Sequence, residues 1–406
     1  MLGGGFAGAY VALELGDRGA TVVSKDNFML YTPLLPEAAS GTLEPRHCVV
    51  PLRVMCPHAE LILGTATGVD LEARTAEVET DEGPQTVAWR ELVLALGAVP
   101  RTLPLPGLAA HALSFKTLAD AIYLRNHVLH QLEAADAALD EAERARRLTF
   151  VFVGAGYAGV EALAELSDLV EDALRCYPRL RSTPRRWVLV DAAPRILPEI
   201  PHRLGDYAAE ELHARGVEIH VGTTLASVSE HEAVLGNGTR IPTRTLVWTA
   251  GVSPSPLLRQ WPLPLDERGR VEVDELLRVR GREHVWALGD CARVPNTRSD
   301  RPDPPTCQHA LRQARRLAKN LTGRLEPYGY RMLGQVATLG RHKGIAEVLG
   351  LKLRGFPGWW VARTYHLYQL PLAQRKLRVV ADWTVSLCFR RDIAELGQLG
   401  HPEGLG

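Results

Sequence analysis

The sequence lacks several features that would identify common classes of protein. No two of its six cysteines are spaced as CxxC or CxxxxC, so neither a zinc site nor a redox-active disulfide in a short loop is expected. We therefore expect no metal and six reduced, packed thiols, which are typical of a reducing compartment. No apolar run reaches the roughly 18 residues that a membrane span needs, and no basic, apolar leader opens the chain.

The overall balance of the sequence is that of an ordinary globular protein. Lysine and arginine together number 47, as do aspartate and glutamate, so net charge gives no reason to expect a nucleic acid partner. The 406 residues are 46% apolar and 23% charged, which is enough for sizeable cores. A chain of this length predicts two or three domains.

A glycine-rich fingerprint stands close to the first residue. Gly3, Gly5 and Gly8 form the pattern GxGxxG, followed by a helical pattern over 9–16 and a short strand pattern over 20–23. In such a turn the first glycine permits a tight bend and the second lets a pyrophosphate approach the backbone. The third lets helix and strand pack closely, and the helix N-terminus attracts the phosphates. The pattern predicts a dinucleotide site.

A second fingerprint follows about 150 residues later in a more complete form. An apolar strand pattern over 148–153 leads into Gly154, Gly156 and Gly159, and then into a helix. The next strand pattern ends at Asp191, whose carboxylate can accept hydrogen bonds from a ribose diol and repels a 2′-phosphate. This arrangement favours NADH over NADPH.

Three further strand patterns end in small residues, as expected where a chain passes close to a bound dinucleotide. The strand over 92–96 ends at Gly97, and the strand over 246–250 ends at Gly251. A third strand ends at Gly289 and Asp290, and this aspartate could accept a hydrogen bond from the ribityl chain of a flavin. With the two fingerprints, these turns predict an α/β fold with two Rossmann-like dinucleotide-binding domains.

At this point the sequence resembles the two-dinucleotide-fold flavoproteins, and among them the type II NADH:quinone oxidoreductases. The resemblance extends over essentially the whole chain. It is carried by a flavin-side loop made of 31–37, of 40–43 with Thr42, and of 51–53, and by the segment 116–121 leading to 124–127. The resemblance implies FAD and NADH as cofactors, with hydride passing from NADH to the flavin and electrons passing on to a membrane quinone.

The family's quinone-side motif reads roughly Ala-Gln, three residues, Gln-Gln-Gly. Here Gln308 and Gln313 match its glutamines, while Cys307, Arg312 and Ala314 depart from it. The resemblance implies Gln308 at the meeting of flavin and quinone, Gln313 on the quinone side, and Lys343 as a further candidate there, although a solvated lysine is the simpler interpretation. For Glu161, which follows the second fingerprint, the resemblance implies a role near the nicotinamide or in proton handling. A helix-dipole acid is the alternative.

Two departures concern the flavin site. Only two residues precede Gly3, whereas a Rossmann unit begins with a strand of about five residues. We therefore expect a native strand upstream, with Met1 a misassigned or engineered start. The acid expected at the end of the next strand is Ser24, followed by Lys25 and Asp26.

The C-terminal part is basic, aromatic and amphipathic, with Asp382 as the only acid between Val348 and Arg391. Such helices lie in the interface of anionic membranes, although an ordinary packing pair with a solvated basic face is the alternative. The basic residues are Lys352, Arg354, Arg363, Arg375, Lys376, Arg378, Arg390 and Arg391, and the aromatic ones are Phe356, Trp359, Trp360, Tyr365, Tyr368, Trp383 and Phe389.

The sequence thus predicts an FAD domain from 1–116 and 268–330, an NAD domain over 117–267, and a membrane-docking segment over 331–406. We expect a peripheral enzyme on the cytoplasmic face of the cell membrane, with a homodimer left open and no nucleic acid partner. Two alternatives remain. One is a sulfide:quinone oxidoreductase, which needs a cysteine pair at the flavin. The other is a non-enzymatic NADH-binding protein with a degenerate flavin site.

Overall fold

A computed structural model describes residues 1–332 and 334–396 of the chain. The predicted α/β fold is confirmed. Within this part the helices are α1 Phe6–Leu15, α2 Leu35–Ala39, α3 Leu52–Met55, α4 Leu108–His111, α5 Leu118–Ala137, α6 Glu141–Arg147, α7 Tyr157–Ala173, α8 His202–Ala214, α9 Cys307–Leu321, α10 Phe356–Gln369 and α11 Ala373–Cys388.

The strands are mostly short, as expected for segments buried in parallel sheets or joined as small antiparallel ribbons. They are β1 Thr21–Ser24, β2 Phe28–Leu30, β3 Val49–Pro51, β4 Glu60–Leu63, β5 Thr65–Asp70, β6 Thr75–Thr80, β7 Gly83–Ala88, β8 Leu92–Leu94, β9 Ala98–Pro100, β10 Ala112–Ser114, β11 Thr149–Val153, β12 Arg186–Asp191, β13 Val217–Val221, β14 Leu225–Val228, β15 Glu232–Leu235, β16 Arg240–Pro242, β17 Thr245–Trp248, β18 Val252–Pro254, β19 Val271–Glu272, β20 Val285–Ala287, β21 Ala292–Arg293, β22 Gly334–Thr338, β23 Gly344–Val348 and β24 Leu351–Arg354.

The chain divides into two compact units. The first consists of Met1–Tyr31, Val49–Val99 and Val252–Met332; the second consists of Thr32–Cys48, Pro100–Gly251 and Leu333–Gly406, so far as these residues are described. The domain boundaries predicted from the sequence are different, because they follow the cofactor that each part is expected to bind. Those boundaries stay a prediction, and residues 333 and 397–406 of the predicted C-terminal segment lie outside the described residues.

Leu2 holds the central position in the parallel sheet of the first unit. On one side β1 pairs with β4, and on the other β8 pairs with β20. Leu2 forms parallel bridges to Val23 and to Leu94, and its N–H donates to the carbonyl of Val93 at 2.9 Å. It is only 2% exposed. The short stretch before the first fingerprint therefore pairs with both neighbours, as a central strand does. Helix α1 follows it and packs against α9.

The second unit contains a five-stranded parallel sheet in the order β10-β17-β11-β12-β13. All five residues of β11 are buried, in agreement with the continuous apolar pattern predicted there. Helix α7 begins within the second fingerprint, directly after Gly156, and ends at Ala173, where two 3₁₀ turns follow. The predicted strand before Asp191 is confirmed as β12.

The same unit carries an antiparallel sheet β22-β23-β24, against which α10 packs, and then α11. Among the helices in residues 1–332 and 334–396, none is both long and apolar enough to cross a membrane. Large apolar side chains on these two helices remain exposed, from 41% for Val380 to 75% for Tyr368. The others are Phe356, Trp360, Leu377, Val385 and Leu387, and Phe389, directly after α11, is exposed as well.

Two basic residues counted toward the predicted docking surface point inward instead, which corrects that prediction. Arg363 is 8% exposed, and its guanidinium lies 4.3 Å from the ring centre of Trp359 and 4.7 Å from that of Trp383. Its Nε donates to Glu37 at 3.1 Å. Arg391 is paired with buried acids, as described below. Local sequence could not reveal this, because the partners are hundreds of residues away.

Candidate functional site

The first fingerprint has the geometry of a phosphate cradle. A Cβ placed on Gly3 would lie 2.2 Å from the carbonyl oxygen of Ala95, and one on Gly8 would lie 1.9 Å from that of Gly3, so neither position admits a side chain. The φ of Gly3 is +114°, which also favours glycine. A Cβ on Gly5 would meet nothing within 4 Å. The middle glycine therefore faces open space at the N-terminus of α1, where a pyrophosphate fits.

The second fingerprint repeats this arrangement in the second unit. Gly154 has φ +112°, and a Cβ there would lie 2.4 Å from the carbonyl carbon of Thr249. A Cβ on Gly159 would lie 1.9 Å from the Gly154 oxygen, whereas one on Gly156 would meet nothing within 4 Å. Crowded outer glycines and an open middle glycine thus occur twice, each time where a helix begins.

Asp191 is held beside the second fingerprint by the backbone. Its Oδ2 accepts from the N–H of Ala155 at 2.5 Å, and its Oδ1 accepts from the N–H of Ala193 at 2.7 Å. The carboxylate is partly exposed and keeps free lone pairs for a ribose diol. At the corresponding place in the first unit, a Cβ on Gly4 would lie 2.5 Å from the Oγ of Ser24. Ser24 therefore offers a hydroxyl where Asp191 offers a carboxylate.

The predicted strand-end turns have backbones that suit a close approach. Gly97 and Gly251 have φ values of +64° and +96°, and a Cβ on either would meet nothing within 4 Å. Gly97 follows β8 in the first unit and Gly251 follows β17 in the second. Both positions leave space beside the backbone.

The Gly289–Asp290 turn lies in the first unit, directly after β20. Gly289 has φ +73°, and a Cβ on it would be 3.1 Å from the Cβ of Ala7, inside the first fingerprint. Its N–H donates to the Oε1 of Gln313 at 2.8 Å. Asp290 is partly exposed and follows Gly289, which packs against the first fingerprint.

The two glutamines of α9 have different environments. Gln308 is partly exposed, and its Oε1 lies 3.5 Å from the hydroxyl of Tyr330, which donates to it. Gln313 is 2% exposed, and both ends of its amide are hydrogen bonded inside the protein. The two side chains were predicted to serve the same quinone, but only Gln308 is partly accessible.

Glu161 lies in the second turn of α7, whose first turn carries no acid, so the alternative of a first-turn acid stabilised by the helix dipole does not apply. Its Oε1 accepts from the backbone N–H of Thr338 at 2.8 Å and from its hydroxyl at 3.2 Å. Burial raises the pKa of Glu161 to about 8, and the nearby Glu165 and Glu37 add to the effect. The carboxyl group is therefore mostly protonated at neutral pH and releases its proton as the pH rises through about 8, which suits a group that exchanges protons.

Thr42, predicted to contact the flavin, lies in a polar cluster of the second unit. Its Oγ1 is 2.9 Å from the Oγ of Ser40 and 3.4 Å from the Oε2 of Glu165, and it accepts from the Nε of Arg391 at 3.0 Å. Lys343 forms an ion pair outside this cluster, because its Nζ lies 2.5 Å from the carboxylate of Glu211. The cofactor role of Thr42 and the quinone role of Lys343 stay predictions.

A stripe of acids along α7 was not recognised in the sequence. Glu161, Glu165, Asp168 and Asp172 follow one another at helical spacing, and this spacing alone would have predicted an acidic face. Arg391 Nη2 lies 3.0 Å from Glu165 and its Nη1 lies 3.0 Å from Asp172.

A cavity of about 290 Å³ lies beside Arg391 in the second unit. Its lining also includes Ala38, Thr42, Leu43, Ile122, Val385 and Leu396.

None of the six cysteines is joined in a disulfide. All six lie in the described part of the chain and are free thiols. Burial raises the pKa of Cys307 to about 12 and that of Cys291 to about 11, so both remain protonated near neutral pH. Across the described residues, no group of three histidines, cysteines or acids could hold a metal ion.

The α/β fold carries two nucleotide cradles. One lies beside an acid that suits ribose, and the other lies beside a Gly-Asp turn. This combination defines a two-dinucleotide-binding flavoprotein oxidoreductase. Comparison with known proteins agrees, since residues 1–314 match the family model for pyridine nucleotide-disulphide oxidoreductases. The chain is 31% identical to a probable NADH dehydrogenase of Dictyostelium discoideum, covering 92% of this chain and 85% of that protein. It is 30% identical to a type II NADH:quinone oxidoreductase of Mycobacterium tuberculosis, covering 96% and 88%.

The chain therefore belongs to the pyridine nucleotide-disulphide oxidoreductase family, and within it to the type II NADH:quinone oxidoreductases. The solved structure of NDH2 from Plasmodium falciparum in complex with NADH is similar in fold. Its TM-score is 0.90 at 18% identity, over 97% of this chain and 98% of that one. The resemblance inferred from the sequence motifs is confirmed.

Proposed function

We propose that this protein is an FAD-dependent NADH:quinone oxidoreductase. The observation that carries the proposal is the repeated cradle, in which the outer glycines crowd the backbone while Gly5 and Gly156 face open space at a helix N-terminus. Two such cradles in one chain of this family fit one nucleotide cofactor and one nucleotide substrate.

The first cradle fits FAD. The open face of Gly5 and the N–H groups at the start of α1 would hold the pyrophosphate, and Asp290 would accept a hydrogen bond from the ribityl chain. Bound FAD supplies an acceptor for the hydride of NADH and a donor of electrons to the quinone. The protein positions the FAD and places the charge of Asp290 near it.

The second cradle would take NADH. Gly156 and the start of α7 suit its pyrophosphate, and Asp191 would bind the adenosine ribose. A 2′-phosphate at this place would bring a second negative charge against the carboxylate, which disfavours NADPH. Gly251 leaves the backbone open beside the same cradle.

Reduction of a quinone by NADH consumes one proton, since NADH, a proton and the quinone give NAD⁺ and the quinol. Glu161 would hold that proton, because its raised pKa of about 8 keeps much of it protonated at neutral pH. Gln308 would contact the quinone with its partly exposed amide. The 290 Å³ cavity, which α11 helps to line, is a candidate entrance for a lipid-soluble quinone.

We infer that the exposed apolar side chains of α10 and α11 dock the protein on an anionic membrane surface. Exposed Trp360 and Phe356, together with the exposed cations Lys352, Arg378 and Arg390, suit the lipid interface. A peripheral position on the cytoplasmic face of the cell membrane is the proposed location. Homodimer formation stays a prediction.

The two alternatives are less well supported. A sulfide:quinone oxidoreductase needs a pair of reactive cysteines, but the pKa of Cys307 is raised to about 12 by burial, which keeps the thiol protonated. A protein with a decayed flavin site would not need to preserve the crowded Gly3 and Gly8 positions around an open Gly5.

The test is a steady-state assay with membranes or detergent and a soluble quinone. We expect oxidation of NADH that depends on the quinone, a lower rate with NADPH, and no quinone reduction with sulfide alone. Quinone reduction by sulfide without NADH would support the first alternative. A folded protein that lacks flavin absorbance and oxidises no NADH would support the second.

A further inference from the structure

Gln313 uses both ends of its side-chain amide inside the first unit. Its Oε1 accepts from the N–H of Gly289 at 2.8 Å, and its Nε2 donates to the Oδ2 of Asp303 at 2.9 Å. Only 2% of the residue is exposed. An amide engaged in this way has no free end for a quinone, so its place in the motif requires another explanation.

Asp303 fixes the orientation of that amide. It is 7% exposed and accepts from the hydroxyl of Tyr328 at 2.6 Å and from the Nδ2 of Asn296 at 2.8 Å. A carboxylate only accepts hydrogen bonds, so the NH₂ end of Gln313 must face Asp303 and its carbonyl end must face Gly289. The buried carboxylate thereby orients the acceptor that holds the turn.

Packing restricts the Gly289–Asp290 turn in addition to this hydrogen bond. A Cβ on Gly289 would lie 3.1 Å from the Cβ of Ala7 and 3.8 Å from that of Ala310, so the turn fits between α1 and α9. The N–H of Gly289, which is partly buried, would be left without this acceptor if Gln313 were shortened, and a donor that loses its partner away from bulk water is costly. Fixing Gly289 also fixes the next residue, Asp290, relative to the cradle at the start of α1.

We propose that Gln313, oriented by Asp303, is a positioning residue for the flavin and not a group that touches the quinone. The chain of contacts runs from Asp303 through Gln313 to Gly289 and ends at Asp290, which would meet the ribityl chain. This inference rests on the proposed function, because it assumes that the first cradle holds FAD.

The test exchanges the donor and the acceptor of the pair. Gln313→Glu brings two carboxylates together, and Asp303→Asn replaces one of the two accepting oxygens with an NH₂ donor, so residue 303 no longer dictates which end of the Gln313 amide faces Gly289. Each change should weaken the binding of FAD to the apoprotein by about tenfold or more, because a buried hydrogen bond is lost or opposed. The double variant Gln313→Glu with Asp303→Asn restores one donor facing one acceptor, and should recover FAD affinity to within about threefold of wild type.

FAD affinity is measured by titrating apoprotein and following the quenching of flavin fluorescence, and the melting temperature of each apoprotein is measured in parallel. Asn320→Asp is the matched control. Asn320 lies on the same helix and is 3% exposed, and its Nδ2 donates to the carbonyl oxygens of Leu276 at 2.9 Å and Glu326 at 3.2 Å. This variant should lower the melting temperature and leave FAD affinity unchanged.

The inference is overturned if both single variants bind FAD as tightly as wild type. It is also overturned if they raise the KM for the quinone at unchanged FAD affinity, because the amide would then act on the quinone. A double variant as weak as the single ones would contradict the oriented pair. Wild-type apoprotein that binds no FAD would instead contradict the proposed function, and this inference with it.

Discussion

Arg391 Nη2 lies 3.0 Å from Glu165 Oε2, and the two side chains are 6% and 1% exposed. The same guanidinium also donates to Asp172 at 3.0 Å. Arg391, three residues beyond the end of α11, thus binds the acids of α7, the helix of the second fingerprint. The C-terminal part of the chain contributes to the packing of the second unit as well as offering an apolar surface.

The first prediction concerns this ion pair. Arg391→Gln leaves Glu165 as a buried carboxylate without its cation, and should lower the free energy of unfolding by about 3 kcal/mol. Urea unfolding measures the change. The neighbouring exposed Arg390→Gln is the control and should have little effect. If the Arg391 variant and wild type are equally stable, the ion pair contributes nothing to the free energy of unfolding.

The fingerprints could be predicted from the sequence because their signals are local. Glycine spacing, the helix that follows and the strand that ends at Asp191 all lie within a few residues of one another. The contacts of Arg391 and Arg363 could not be predicted, since their partners Glu165 and Glu37 are 226 and 326 residues away in the chain. Gln313 was recognised by its motif, but its partners are set by how the irregular chain around Asp303 folds.

A second prediction concerns the pH dependence of stability. The pKa of Glu161 is raised from 4.5 to about 8, so its protonated form is favoured in the folded protein. Its contribution to stability is full below pH 4.5 and is lost as the pH rises through about 8.

Glu161→Gln should therefore lose less stability than wild type between pH 5 and pH 9, as measured by melting temperature across that range. Glu210→Gln, at an exposed position on α8, is the control and should follow the wild-type curve. A parallel pH dependence for the Glu161 variant and wild type would contradict the raised pKa.

A third prediction concerns the choice of coenzyme. Asp191→Asn removes the charge that opposes a 2′-phosphate while keeping an acceptor for the ribose. The ratio of kcat/KM for NADH to that for NADPH should fall by about tenfold. Initial rates with both coenzymes at low concentration measure this ratio. An unchanged ratio would mean that Asp191 does not face the adenosine ribose.

A fourth prediction concerns the membrane surface. Removing the whole segment after Val348 would also remove Arg363 and Arg391, so single exposed side chains make a cleaner test. Trp360→Ser and Leu377→Ser, at residues that are 56% and 70% exposed, should reduce co-sedimentation with anionic vesicles and leave the melting temperature unchanged.

Leu139→Ser provides the matched control for vesicle binding. Leu139 is 99% exposed but lies far from α10 and α11 in the sequence, so its replacement should not affect binding. Undiminished sedimentation of both α10 and α11 variants would place the lipid contact elsewhere on the protein.

The central claim is that one chain carries electrons from NADH through bound FAD to a quinone. The most direct measurement is an anaerobic titration of the purified protein, followed by the visible absorbance of the flavin. We predict that one equivalent of NADH bleaches the flavin band, and that one equivalent of a soluble quinone then restores it. A flavin band that NADH leaves unchanged, or that a quinone cannot restore after bleaching, would contradict the account.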